Sequence, residues 1–178
     1  MDDLCRAAGV TKGAFFHHFA SKEALGVALA GYWADTTGDF FKEAPYHHHH
    51  HAVDRVLGYI DLRMALLSGP PQSFTCVAGT MVQESFLTST AIREACNDSI
   101  MGNAAALEAD IAQAITDTGA AGVTAASLSQ FIQTVIQGAF ILAKAQEAAQ
   151  AHATARDQLW HLRRYFELLF GKGSGHAG

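Results

Sequence analysis

The sequence predicts an all-α fold for a chain of 178 residues. Apolar residues recur at helical spacing in several segments, most plainly Val53, Val56, Leu57, Ile60, Met64 and Leu67. Clusters of glycine, proline and small polar residues, such as SGPPQS and TDTGAAG, separate those segments. Apolar types supply 49% of the chain and proline only 3 residues, which excludes a disordered or collagen-like polymer. The length suits one substantial core, or a small module joined to a larger one.

In the first element, DDLCRAA, residues Leu4, Ala7 and Ala8 share one helical face, and Gly9 offers the left-handed conformation that ends a helix at little cost. Thr11 is placed to cap a second, short helix. Ser21 is placed to cap a third, whose first turn holds Glu23 at the favourable end of the helix dipole. The middle helix turns Ala14, Phe15 and Phe19 inward and leaves Lys12, Gly13, Phe16, His17 and His18 on its outer and leading surfaces. The third repeats apolar residues at Leu25, Leu29, Tyr32, Trp33 and Phe40, and runs from a small head into the rest of the chain.

Pro45 breaks the chain before His47–His51. Five adjacent histidines spread around a helix or along a loop and do not converge on one metal, so a solvated segment and no metal site is expected. A helix follows over 52–67 and SGPPQS stops it. Next come a helix from Phe74 to Phe86, another from about Thr90 toward Ile115, a TDTGAAG turn, and two final helices. The first of these begins at Ser127 and carries Leu128, Phe131, Ile132, Val135, Ile136, Ala139, Phe140 and Leu142. The second carries Leu159, Leu162, Phe166, Leu169 and Phe170, with Arg156, Arg163 and Arg164 on its wetter side. Faces this broad suggest contact between subunits as well as a core. Residues 172–178 read as a flexible tail.

Twelve Lys and Arg against seventeen Asp and Glu give a net charge of -5, which argues against non-specific coating of nucleic acid. The distribution says more. Residues 5–22 hold Arg6, Lys12 and Lys22 with no acid, whereas residues 51–170 hold seven basic and eleven acidic side chains. Cys5, Cys76 and Cys96 form no ligand set and suit a reducing compartment as small buried thiols. No apolar run approaches the ~18 residues of a membrane span and the N-terminus lacks a secretory pattern, so a cytoplasmic protein with no membrane partner is expected. Phosphate-loop, dinucleotide, zinc-protease and serine-hydrolase motifs are all absent from the sequence, which predicts neither catalytic residues nor a cofactor.

The head, read as helix, sharp turn and short helix, meets the requirements of a helix-turn-helix, in which the second helix enters the major groove. Lys12 can reach a guanine edge or a phosphate, Gly13 permits close approach, and Lys22 suits a phosphate at the next helix start. The stretch LCRAAGVTKGAFFHHFASKEAL closely resembles the helix-turn-helix signature of the TetR family of bacterial transcriptional regulators, with AGVTKGAFFHHF its most specific part. The match runs from Leu4 to Leu25; beyond it the chain agrees in length, helical organisation and two final apolar helices.

The resemblance implies a DNA-binding head over residues 1–43, including the connecting helix, and a helical effector-binding and dimerisation body over 44–171. It implies double-stranded operator DNA, a second copy of the chain and a small-molecule effector as partners, with the effector releasing the operator. By motif position it assigns DNA contacts to Thr11, Lys12, Gly13, Phe16, His17, His18 and Lys22. Phe16 stands where the family often has tyrosine, so a hydroxyl contact to phosphate does not carry over. Family members also place a complete helix before the segment matching MDDLCRAA, so the head is expected to be N-terminally incomplete. Helical spacing suggests an effector pocket among Met64, Leu67, Phe74, Met81, Phe86, Met101, Phe131 and Phe140, with Cys76, Gln83, Glu84 and Gln137 as its polar edges. Glu84 is expected to bind a cationic ligand, pair with Arg93 or face solvent. Phe131, Val135 and Phe166 represent the expected dimer interface. A derived protein that binds ligands without selecting DNA is the alternative.

Overall fold

The computed structural model describes residues 1–171, and the tail expected over 172–178 lies outside them. Among the described residues every regular element is helical. Three form the head: α1 (Asp2–Ala8), α2 (Lys12–His18) and the start of α3 (Lys22–Lys42). Gly9 ends α1 at φ 66°, a left-handed conformation that costs an L side chain ~1–2 kcal/mol. Thr11 and Ser21 accept hydrogen bonds from the amides of Ala14 (3.1 Å) and Ala24 (3.0 Å), each satisfying a donor that its helix leaves open.

A 3-10 turn (Pro45–His48) leads to α4 (Ala52–Ala65), followed by α5 (Pro71–Phe74), α6 (Val77–Ser85), α7 (Thr90–Ala105), α8 (Glu108–Thr118), α9 (Ala125–Lys144) and α10 (Ala148–Leu169). The expected helix from Phe74 to Phe86 is two, because Thr75 adopts extended backbone between them and Cys76 Sγ caps the second at the Gly79 amide. The expected run from Thr90 toward Ile115 also breaks, at Ala106 and Leu107. Leu107 is drawn into the core, so tertiary burial decides a break that contains no glycine or proline. Helix α9 starts two residues earlier than Ser127, with Thr124 and Ser127 forming a reciprocal capping box.

Helices α4, α8, α9 and α10 enclose the main core, in which Tyr59, Ile60, Ile111, Ile132, Leu159 and Phe166 are almost fully buried. Each such side chain contributes about 1.5–3 kcal/mol on leaving water. By length and composition α9 could cross a membrane, contrary to the expectation that no stretch comes near that threshold. Its Leu128, Ile132, Ile136, Phe140 and Ala143 are instead buried among the other helices.

Helix α3 lies along α7 through a second, smaller cluster of Ala30, Ala78 and Cys96. The expected apolar series on α3 is mostly outward: Leu29, Tyr32 and Phe40 are exposed, while Ala30 and Phe41 are buried. Close approach explains the inversion at this point, since a Cβ on Gly26 would lie 2.8 Å from Ile92 Cδ1 and the next turn of the same face is the fully buried Ala30.

Candidate functional site

The seven side chains and backbones assigned to DNA, Thr11, Lys12, Gly13, Phe16, His17, His18 and Lys22, are all exposed along α2 and at the start of α3. Phe15 is the buried anchor beneath them. Its ring meets Phe16 edge-on at 5.2 Å and the Phe19 C-cap at 5.6 Å, an aromatic cluster local to α2. Lys12 Nζ lies 2.7 Å from Asp2 and Arg6 pairs with Asp3 at 2.9 Å. Both pairs are more than half exposed and each is worth at most about 1 kcal/mol. Beside them Leu4, Ala8, Val10, Ala14, Phe15, Phe19 and Leu25 line an open apolar groove of about 320 Å³.

Two hollows adjoin in the body. The inner one, about 30 Å³, lies between α3, α4, α7 and α9 and is lined by Trp33, Thr37, Arg63, Ile100, Gln133 and Ile136, among others. The outer one, about 560 Å³, opens between the C-terminal half of α3 and α7, and Ser99 and Asn103 line both. Arg63 sits at this junction. Its guanidinium carbon lies 4.1 Å from the Phe41 ring centre and 5.2 Å from that of Tyr59, while Nε donates to the Tyr59 hydroxyl at 2.9 Å. Gln133 Nε2 donates to the same hydroxyl at 3.4 Å. Burial, then the neighbouring Tyr59 and Asp110, hold the Tyr46 hydroxyl up at about 12, against the lowering pull of Arg63.

Of the expected pocket residues, Phe74, Cys76, Gln137 and Phe140 line the inner hollow. The others lie elsewhere. Leu67 is in the main core and Met64 packs against it. Gln83, Phe86 and Met101 are exposed, and Phe131 is on the outer face of α9, its ring 5.1 Å from Tyr165. Met81 and Glu84 line a groove between the start of α3 and the α6–α7 turn, where the exposed Glu84 faces no arginine, since Arg93 pairs with Glu94 at 3.7 Å. Of the expected interface residues, Val135 is half-buried against the core and Phe166 is fully buried in it. Phe166 therefore cannot meet a partner, because its apolar surface is already consumed within the protomer. The outer face of α9 and α10 carries Phe131, Leu142, Trp160, Tyr165 and Leu168 instead.

Sequence reasoning missed Arg63, Trp33, Thr37, Ser99 and Asn103. Trp33 and Thr37 stand one turn apart and so share a face of α3, which was a usable signal. Arg63 gave none, since an arginine in an amphipathic helix that also carries Asp54, Arg55 and Asp61 ordinarily points to water. Cys5 and Cys96 are buried and all three cysteines are free. Burial first, and Cys76 second, push the Cys96 thiol up. No set of three metal-binding side chains occurs among the described residues, and His47 instead bonds the Phe41 carbonyl at 3.0 Å.

Comparison with known proteins bears on this arrangement. The sequence profile for bacterial regulatory proteins of the tetR family matches residues 1–29, and that for the C-terminal domain of LmrA/YxaF-like transcriptional regulators matches 52–158. No curated protein is significantly similar. Among solved structures, reduced E. coli NemR superposes with a TM-score of 0.75 at 22% identity, covering 92% of this chain and 84% of that one. A TetR-family regulator from Agrobacterium tumefaciens gives 0.72 at 18%, covering 90% and 84%. A TetR/AcrR-family regulator gives 0.70 at 20%, covering 95% and 85%. At these identities the likeness is one of fold. The second profile spans more than half of the chain on its own, and by it the chain belongs to the TetR family of transcriptional regulators.

Proposed function

We propose that the chain is a cytoplasmic, homodimeric repressor that an effector bound in its body releases from operator DNA. One observation carries the reading: α3 holds the head at one end and presents Trp33 and Thr37 to the inner hollow further along. An effector that enlarges a hollow of about 30 Å³ must move its walls, and one wall is the helix that bears the head. The head is residues 1–43 and the body 44–171. Thr11, Lys12, Gly13, Phe16, His17, His18 and Lys22 contact the duplex, and two heads sit on successive major-groove faces about 34–36 Å apart. The outer face of α9 and α10, with Phe131 and the flank of Val135, joins the protomers. The mechanism is a shift of conformational population and needs no catalytic residue, metal or cofactor.

A second reading, a ligand-binding protein that does not select operators, is favoured by the open apolar groove between α1 and α2, which leaves the head's small core uncovered on one side. Selection from random duplexes, run side by side on this chain and on one extended upstream, separates the two. Enrichment of a two-fold symmetric site by either form supports the repressor. Enrichment by neither supports the second reading.

A further inference from the structure

Four arginines of the described body residues are half-buried: Arg55, Arg63, Arg163 and Arg164. Three have carboxylate partners, Arg55 with Asp110 at 2.7 Å, Arg163 with Asp61 at 2.6 Å and Arg164 with Glu167 at 3.1 Å. Arg63 has none within 4 Å among the described residues. Its neighbours are neutral: two aromatic faces, the Tyr59 hydroxyl, and Asn103 Oδ1 at 3.5 Å from Nη2. Among the described residues it is also the single charged side chain that lines the inner hollow. A guanidinium withdrawn from water without a counter-ion keeps unspent capacity for a charge-assisted, two-pronged hydrogen bond.

We propose that Arg63 is the anion-binding residue of the effector site, and that the effector is a monocarboxylate carried on a flat apolar ring system. This rests on the body hollows being the effector site. The ring system follows from the walls beyond Arg63, where Trp33, Phe74, Ile136 and Phe140 offer apolar and aromatic surface. The single charge follows from the inventory of cations. A phosphate monoester would need a second one in the inner hollow, whose described lining holds no lysine, while Lys42 lines the outer groove, as does the acidic Asp98. Asn103 stands in both walls and bonds Arg63, so a carboxylate arriving through the outer groove displaces the carboxamide from Nη2 and opens the partition between the two hollows.

Calorimetry with 2-naphthoate and its neutral isostere 2-naphthamide tests this. The expected result is that the carboxylate binds at least tenfold tighter than the amide. Arg63→Gln is expected to abolish that preference and Arg63→Lys to restore part of it. Because Arg63→Gln also removes the bond to Tyr59, Asn103→Asp provides a second variant: it keeps the arginine and the side-chain shape but supplies an internal counter-ion. It should cost the carboxylate at least tenfold and the amide little. Equal binding of both probes to the unaltered chain, no binding of the carboxylate, or a preference that survives both Arg63→Gln and Asn103→Asp overturns the proposal. A separate variant, Ile136→Trp, fills the inner hollow and should exclude both probes. If both still bind with unchanged affinity, the reading of the hollow as the effector site fails instead.

Discussion

Lys12 is paired with Asp2, 2.7 Å from its carboxylate, and the DNA contact proposed for it would displace that partner. An exposed pair of this kind exchanges at little cost, so the acid tunes affinity without blocking it. Lys12→Ala is expected to weaken specific binding and relax discrimination at one base pair, by about 1–3 kcal/mol. Lys22→Ala should weaken binding evenly across sequences and reduce the slope of log affinity against log salt by about 1. Competition binding at several salt concentrations distinguishes them, and affinities and salt slopes unchanged from the parent chain in both folded mutants would remove both residues from the DNA contact. Tyr46 titrates in a different range. Its folded pKa of about 12 stands above the ordinary value of about 10, so the hydroxyl's contribution to stability is complete below pH 10 and is lost as pH rises through 12. Tyr46→Phe should therefore flatten the alkaline decline of the unfolding free energy, measured by urea titration from pH 8 to 11.5. An unchanged alkaline limb would contradict this origin.

Between elements, the joint that matters most is Ser89. Its hydroxyl accepts from the Ile92 amide at 3.1 Å, capping α7, and bonds the Glu23 carboxylate in the first turn of α3. One side chain thus ties the helix that bears the head to a helix that walls the inner hollow. Ser89→Ala should cost about 1 kcal/mol, a fall of about 2–4 °C in Tm for a chain of this size. The mutant should also show a smaller change in operator affinity on saturation with effector. A melting curve and an operator titration measure the two effects; a variant with unchanged Tm and unchanged coupling would show that Ser89 does neither. Elements were legible in the sequence where their cause was local. Gly9, Thr11 and Ser21 act through their own backbone neighbours, and the head could be drawn from them. The break at Leu107, the inward face of α3 and the lining of the hollows depend on what a distant helix offers. Leu29 looks like a core residue and Ala30 does not, yet Gly26 and Ala30 let α7 come close and turn Leu29 outward.

In the whole molecule, the two final helices divide their apolar residues between a core and a free face. Phe166→Ala should cost about 3–5 kcal/mol of folding stability, because it empties a filled core site. Phe131→Glu should leave the protomer folded and shift it, in sedimentation equilibrium, from twice 19.0 kDa toward 19.0 kDa. A folded dimer of unchanged affinity in Phe131→Glu would move the interface off this face. Linkage adds a condition on the switch: an effector that weakens operator binding must bind the operator-bound protein less tightly by the same factor.

Helix α3 has 21 residues and so spans about 31 Å. If α3 and the α7 it packs along move together as one rigid body about the C-terminal end of α3, the pair is a lever: a tilt of ~5° displaces the far end of α3 by ~3 Å, close to one base-pair step along the duplex. In the proposed dimer, two-fold symmetry would apply the same tilt in the opposite sense to the second lever, doubling the mismatch. Operators whose half-sites are moved apart or together by one base pair should therefore change which state of the protein they favour, and a spacing variant that still binds when effector is present would measure the throw of the lever directly.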